Sequence, residues 1–293
     1  MKIPGLQART PLLGLARAVS AGAFVALVAS AVPTQAAAQL RTMNDDCRQG
    51  IDAADQLNAA DDHAAALTAF DALVDGCGTR DAREQIQAGR AHALNGLERY
   101  DDAIQAAESA LDAYDESLFG LFERAYAREQ LGAADSAAAD YRRIIELTEM
   151  NENVAERATI YAKVADLNYQ AGKVAEAEEY LANATALDPG NPAYAIMRGD
   201  WAARAGDTDA AFAAYDQALE MSGSGEERAE VYEIRAQARL TMVQEKYGTT
   251  NAQELRRQMT PTETEQVCSE LTRALEAGMQ DMQLDMFSAL VCR

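Results

Sequence analysis

Small residues recur along this chain at a spacing of about one helical hairpin, and no other feature narrows the fold as much. Ala66, Ala103, Ala137, Ala177 and Ala211 stand 37, 34, 40 and 34 residues apart. A period near 34 residues is that of stacked helix pairs, each burying one face against the next. Twelve residues before these alanines stand Ala54, Ala91, Ala125, Ala165 and Gly199. Four residues after them come Phe70, Ala107, Tyr141, Leu181 and Tyr215, and seven after them Leu73, Ala110, Ile144, Ala184 and Ala218. Positions i, i+4 and i+7 share one helix face, so the last three columns form one buried stripe. The two small columns mark where the helices of a pair cross closely. Gly132, Gly172 and Gly206 lie five residues before the last three alanines. Glycine there supplies the positive φ that ends a helix. Asp188-Pro189-Gly190-Asn191-Pro192 reads as a helix stop followed by a new start.

These columns resemble the tetratricopeptide-repeat family. The match is best in YAKVADLNYQAGKVAEAEEYLANATALDPGN (161–191) and GDWAARAGDTDAAFAAYDQALEM (199–221), and fair in LNGLERYDDAIQAAESAL (94–111). The family's large aromatic early in the first helix is mostly missing, Tyr161 being the clearest candidate, and Arg90, Arg124 and Arg198 stand where an apolar residue is usual. The resemblance implies an all-α, right-handed superhelical solenoid of antiparallel helix pairs. About five repeats would occupy 47–225, and 226–293 would be a degenerate repeat and a C-terminal capping hairpin.

Residues 1–38 read as a secretory signal peptide. Lys2, Arg9 and Arg17 give a basic start, Ala18 to Val32 is apolar apart from Ser20 and Ser30, and Ala36-Ala37-Ala38 places small residues for cleavage before Gln39. The apolar stretch is shorter than the ~20 residues of a spanning helix, which disfavours an uncleaved anchor. Residues 39–46 would begin the mature chain, exported to the periplasm or secreted, with no membrane insertion after cleavage. The net charge of −21 disfavours phosphate backbones and anionic headgroups, so nucleic acid is excluded as a partner.

Four cysteines in an exported chain imply two disulfides, for which three pairings exist. Cys47 opens the first helix of the first hairpin and Cys77 follows its second helix, so antiparallel packing makes them neighbours. Cys268 and Cys292 flank Gly278, the turn of a last hairpin. Cys47–Cys77 and Cys268–Cys292 would therefore staple the two terminal hairpins. No C-x-x-C occurs, and His63, in the first hairpin's turn, and His92, on a helix face, are too few for a zinc site.

Beyond 225 a long helix is expected over 226–246, broken by Gly248-Thr249-Thr250-Asn251. Thr260-Pro261-Thr262-Glu263 reads as a capped helix start, and helices over 261–277 and 279–291 form the last hairpin. Met279, Met282 and Met286 have the spacing of Cu(I) thioether ligands, but equally that of the buried face of an amphipathic helix, continued by Phe287 and Leu290. We read them as core.

No phosphate-binding loop, nucleophile elbow or H-E-x-x-H motif occurs, and the expectation is a non-catalytic protein without metal or cofactor. A repeat array is above all a binding surface. The family's geometry implies that the first helix of each pair lines a concave wall. Such a wall would present His92 and Asn95, then Phe119, Phe122, Tyr126 and Glu129, then Asp166 and Tyr169, then Asp200 and Arg204. Aromatic anchors such as Phe119, Phe122 and Tyr126 often carry binding energy, although they serve equally well as packing between hairpins. Asp166 and Asp200 favour a basic or apolar segment of a protein or peptide partner over an acidic one. The alternative is a structural or self-associating module; copper binding or an unrecognised activity stands further off.

Overall fold

The computed structural model describes residues 43–150, 153–223, 225–279 and 281–292. The expected signal peptide, 1–38, and residues 39–42 lie outside them. The described residues hold fourteen helices and no strand, in two compact units, 43–188 and 189–292. None of these helices is long and apolar enough to cross a membrane.

The first unit consists of four antiparallel pairs: α1 (Asp45–Ala59) with α2 (His63–Leu73), α3 (Arg80–Gly96) with α4 (Tyr100–Ala113), α5 (Leu118–Gln130) with α6 (Ala134–Leu147), and α7 (Val154–Gln170) with α8 (Val174–Leu187). Each first helix begins on a side-chain cap. Asn44, Thr79, Ser117 and Asn153 accept the backbone N–H of Cys47, Ala82, Gly120 and Glu156. Such caps satisfy amide donors that the helix itself leaves unpaired.

The turns between partners repeat one motif. The N–H of Asp62, Arg99, Ala133 and Lys173 each donates to a carbonyl five residues back, at 2.8–2.9 Å. The residue before each has positive φ, as the Schellman motif requires. It is Gly132 (φ 75°) and Gly172 (φ 76°) in two pairs, but Asp61 (φ 59°) and Glu98 (φ 59°) in the others. The residue that closes the motif also starts the next helix. Asp62 also caps α2 through its side chain, whereas α4, α6 and α8 start at Arg99, Ala133 and Lys173 and have no side-chain cap.

The columns pack as the pattern predicts. Ala54, Ala66, Phe70, Ala91, Ala103, Ala107, Ala125, Ala137, Tyr141, Ala165, Ala177 and Leu181 are all fully buried. Close approach is bought with missing side chains between pairs too: a Cβ on Gly89 would fall 2.2 Å from the Phe70 ring. Two of the misplaced arginines reach carboxylates on neighbouring second helices. Arg124 binds Asp140 through two nitrogens (3.0 and 2.8 Å), and Arg90 binds Asp71 (2.7 Å). Cys47 and Cys77 form a disulfide with Cα atoms 5.7 Å apart, closing the first pair as expected.

The second unit opens with a fifth pair, α9 (Pro192–Arg204) and α10 (Thr208–Met221), with the same turn at Gly206 (φ 79°). Gly199, the small residue of its column, leaves room for Tyr215, whose ring would lie 2.5 Å from an added Cβ. Next come α11 (Gly225–Tyr247), α12 (Ala252–Gln258), α13 (Pro261–Ala277) and α14 (Met282–Val291). Thr260 and Glu263 form the expected capping box at the start of α13. Leu240, Val243, Leu255, Val267, Leu271, Leu284 and Phe287 make this end's core, and Cys268–Cys292 ties α13 to the end of α14 (Cα–Cα 5.5 Å).

The stretch after Asn251 holds the short helix α12, seated by the fully buried Leu255. The expectation for the last helix is corrected. The last helix starts at Met282 rather than Met279, because Gly278 takes a left-handed conformation and Asp281 caps the following amides. Its buried face is Leu284, Phe287 and Val291, so Met282, Met286 and Leu290 face solvent rather than the core.

Candidate functional site

In the first unit, the first helices of successive pairs lie side by side, and polar residues in their last turns stitch them together. Asn58 Nδ2 donates to the Gly89 carbonyl (3.1 Å), and Asn95 Nδ2 donates to the Glu123 carbonyl (3.0 Å). Asn58, Asn95 and Glu129 are equivalent, each four residues beyond the small residue of its column. At the third position the interaction is ionic: Lys163 Nζ donates to both Glu129 carboxylate oxygens (3.0 and 3.2 Å). Tyr141 Oη also donates to Glu129 (3.2 Å).

Between α3 and α5 the stitch widens into a buried polar cluster. The Glu123 carboxylate is almost fully buried; it accepts from Asn95 Nδ2 (2.7 Å) and lies 2.9 Å from His92 Nδ1. Burial works against a charged His92, but Glu123, with Asp55 and Asp61 beyond it, outweighs this and raises its pKa above the ordinary histidine value. His63 Nδ1 lies 3.3 Å from Asn58 Oδ1, and its ring sits 5.7 Å from that of His92. Burial and the His92 charge push the His63 pKa down. On α1, Asp55 remains open to solvent, yet partial enclosure and the nearby Asp52 raise its pKa to about 6.

The residues expected to bind a partner are distributed unevenly. Phe119 is half-buried, with its ring 5.8 Å from His92. Tyr126 is half-buried one turn beyond Phe122, and burial, with Tyr100 and Glu129 nearby, raises its pKa. Phe122 points into the core, edge-on to Tyr141 (6.0 Å), so it packs hairpins together. Asp166 accepts from Gln170 (2.6 Å), and Tyr169 is half-buried on the same helix. Asp200 and Arg204 belong to the second unit, where Asp200 is buried and accepts from Tyr215 Oη (2.7 Å) while Arg204 is exposed. Asn58, Glu123 and Lys163 were not singled out in the sequence. The shared register of Asn58, Asn95 and Glu129 was the available signal for the stitches. Among the described residues no group of three or more His, Cys, Asp or Glu side chains is arranged to hold a metal ion.

Stacked antiparallel pairs with these buried columns and a wall of first helices define a helical-repeat fold of the tetratricopeptide type. The fold is shared with a tetratricopeptide repeat protein from Parabacteroides merdae ATCC 43184, at a TM-score of 0.54 and 15% identity, over 85% of this chain and 100% of that one. It is shared as well with MamA (41-end) from Desulfovibrio magneticus RS-1, at a TM-score of 0.53 and 14% identity, over 61% of this chain and 97% of that one. No protein-family model matches the sequence, and no curated protein does. At these identities the likeness is one of fold, and function has to be argued from the residues of this chain.

Proposed function

We propose that this chain is an exported, non-catalytic scaffold or adaptor that holds a segment of another protein along the wall formed by its first helices. The observation carrying this reading is the pair of half-buried aromatics, Phe119 and Tyr126, on the α5 face beside Glu123 and Glu129. Rigid aromatic groups already partly desolvated lose little on binding and supply much contact area. The carboxylates of Asp55, Glu129 and Asp166 along the same helices favour a basic or apolar segment. Two disulfides support an oxidising compartment, and with the expected signal peptide they favour the periplasm. Neither a cofactor nor nucleic acid enters this reading.

Differential capture tests it. The mature wild-type chain and a Phe119→Ala/Tyr126→Ala variant are compared for the proteins each retains from the native envelope, with circular dichroism checking that both fold. The reading requires a partner retained by the wild type and lost from the variant. Identical retention would reject it. A second reading, self-association, rests on the exposed stripe Met282, Met286 and Leu290 of α14. It requires a concentration-dependent sedimentation coefficient that Met282→Glu abolishes.

A further inference from the structure

A cavity of about 580 Å³ opens in the second unit between α10, α11 and α13. That volume lies in the range of small-molecule sites. Its most unusual occupant is Arg239. The guanidinium lies 3.8 Å over the Phe212 ring, which fixes its plane. Its Nε is buried without an acceptor, and among the described residues no hydrogen bond or ion pair engages the group.

The cations around it are differently placed. Arg235, one turn earlier on α11, donates to both oxygens of Glu270 at 3.1 Å and also pairs with Asp216. Lys246 is paired with Glu263. Arg124 and Arg128, half-buried in the first unit, both hold Asp140. Arg239 is a preoriented fork with no such partner. Burial, with the Arg235 charge, lowers its pKa despite the opposing pull of the Glu270 and Asp209 carboxylates.

We propose that this cavity binds a carboxylate carried on a small apolar body, with Arg239 as its anchor. A carboxylate matches the planar fork with two parallel hydrogen bonds and supplies the acceptor that the buried N–H lacks. Phe212, Ala213, Met242 and Val243 line the cavity and suit an aliphatic or aromatic body about the size of one residue. Asp209 also lines it, beside Asp216 and Glu263 held by Arg235 and Lys246, and its charge disfavours a phosphate more than a singly charged carboxylate. A free organic acid and the last residue of a peptide chain present this same chemistry. The site is independent of the first-helix wall, so its test does not depend on the proposed scaffold role.

Calorimetry on the mature chain with paired probes tests the assignment. N-acetyl-leucine and acetyl-Ala-Ala-Ala-Leu, each with a free carboxylate, are compared with their carboxamides and with inorganic phosphate. Both acids should bind at least ~10-fold more tightly than their amides and than phosphate. Binding of both acids with equal affinity identifies a free acid as sufficient; binding of the peptide alone identifies a chain end. Arg239→Gln should abolish the preference for acid over amide. Arg239→Lys, which keeps the charge and guards against misfolding, should retain only part of it. Asp209→Asn should tighten acid binding, because it removes a negative charge from the cavity lining. Equal affinity for acids and amides, no binding up to ~10 mM, or an unchanged preference in the folded Arg239 variants would overturn the proposal.

Discussion

The two units of this chain are held together by different means. In 43–188 the fold rests on repetition: small residues at fixed spacing, one large residue per stripe, and the same turn closing every pair. Its buried charges are few and local, chiefly Glu123 and Asp140. In 189–292 the repeat runs out after α10, and Arg235 of α11 and Glu270 of α13, both buried, are bonded to each other. A regular array needs only that each side chain be the right size. An irregular end must orient helices that no longer share a register, and a bidentate ion pair does so directionally. The second disulfide adds a covalent constraint at the same end.

Breaking that ion pair should give the largest effect. Arg235→Ala leaves Glu270 buried without its bidentate partner, a loss of about 3–5 kcal/mol. Arg235→Met combined with Glu270→Leu should recover most of it, since an apolar pair of similar volume needs no compensation. Urea unfolding of the two variants, with amide exchange in 189–292, reads both. If the double variant is no more stable than the single one, the pair has a role that packing cannot replace.

The matching perturbation in the regular unit is Ala137→Leu. Ala137 is fully buried where α5 and α6 cross, and overpacking such a site costs about 1–3 kcal/mol. An unchanged unfolding midpoint would mean that the column has slack that the burial does not reveal. Next in size is Glu123→Gln, whose effect depends on pH. His92 has a raised folded pKa, so its stabilising contribution is fully present below the unfolded value near ~6.5 and is lost as pH rises through the folded value. The variant should therefore lose more stability at pH ~6 than at pH ~8. With only two histidines in the chain, proton NMR resolves both directly. One should titrate above the ordinary value and one below, and Glu123→Gln should lower the upper one.

The sequence made the columns legible because side-chain volume at a fixed interval is written directly into the residues. The stapled cysteine pairs were legible for a related reason, since short antiparallel hairpins bring their own ends together. The last helix was harder. Two apolar stripes share it, one through Met282, Met286 and Leu290 and one through Leu284, Phe287 and Val291, and periodicity alone does not choose between them. The choice follows from Gly278, Asp281 and the tie at Cys292, which set where the helix starts and how it is rotated. On the first-helix wall, Phe122 and Tyr126 have the same spacing as any i, i+4 pair, so burying one and half-exposing the other is decided by the neighbouring α6. Arg239 carries no sequence signal: its lack of a partner emerges only when α10, α11 and α13 come together.

The smallest effect concerns the turns, and it divides the regular unit within itself. Asp61 and Glu98 hold the left-handed conformation that Gly132 and Gly172 hold in the later pairs. A residue with a Cβ is strained there by roughly 1–2 kcal/mol, less for Asp, whose short side chain tolerates the region better. Glycine relieves that strain but gains more freedom in the unfolded chain, which returns part of the benefit. Both positions are exposed, so no packing is lost. Glu98→Gly should therefore stabilise by about 0.5–1 kcal/mol and Asp61→Gly by less, measured as shifts in the urea midpoint. The converse substitution, Gly132→Glu, should destabilise by a similar amount, since nothing lies within 4 Å of the added Cβ and only the backbone conformation is at stake. If Glu98→Gly is neutral while Gly132→Glu is costly, the first two turns have adapted to their non-glycine residues and the repeats are less equivalent than their shared hydrogen bonds imply.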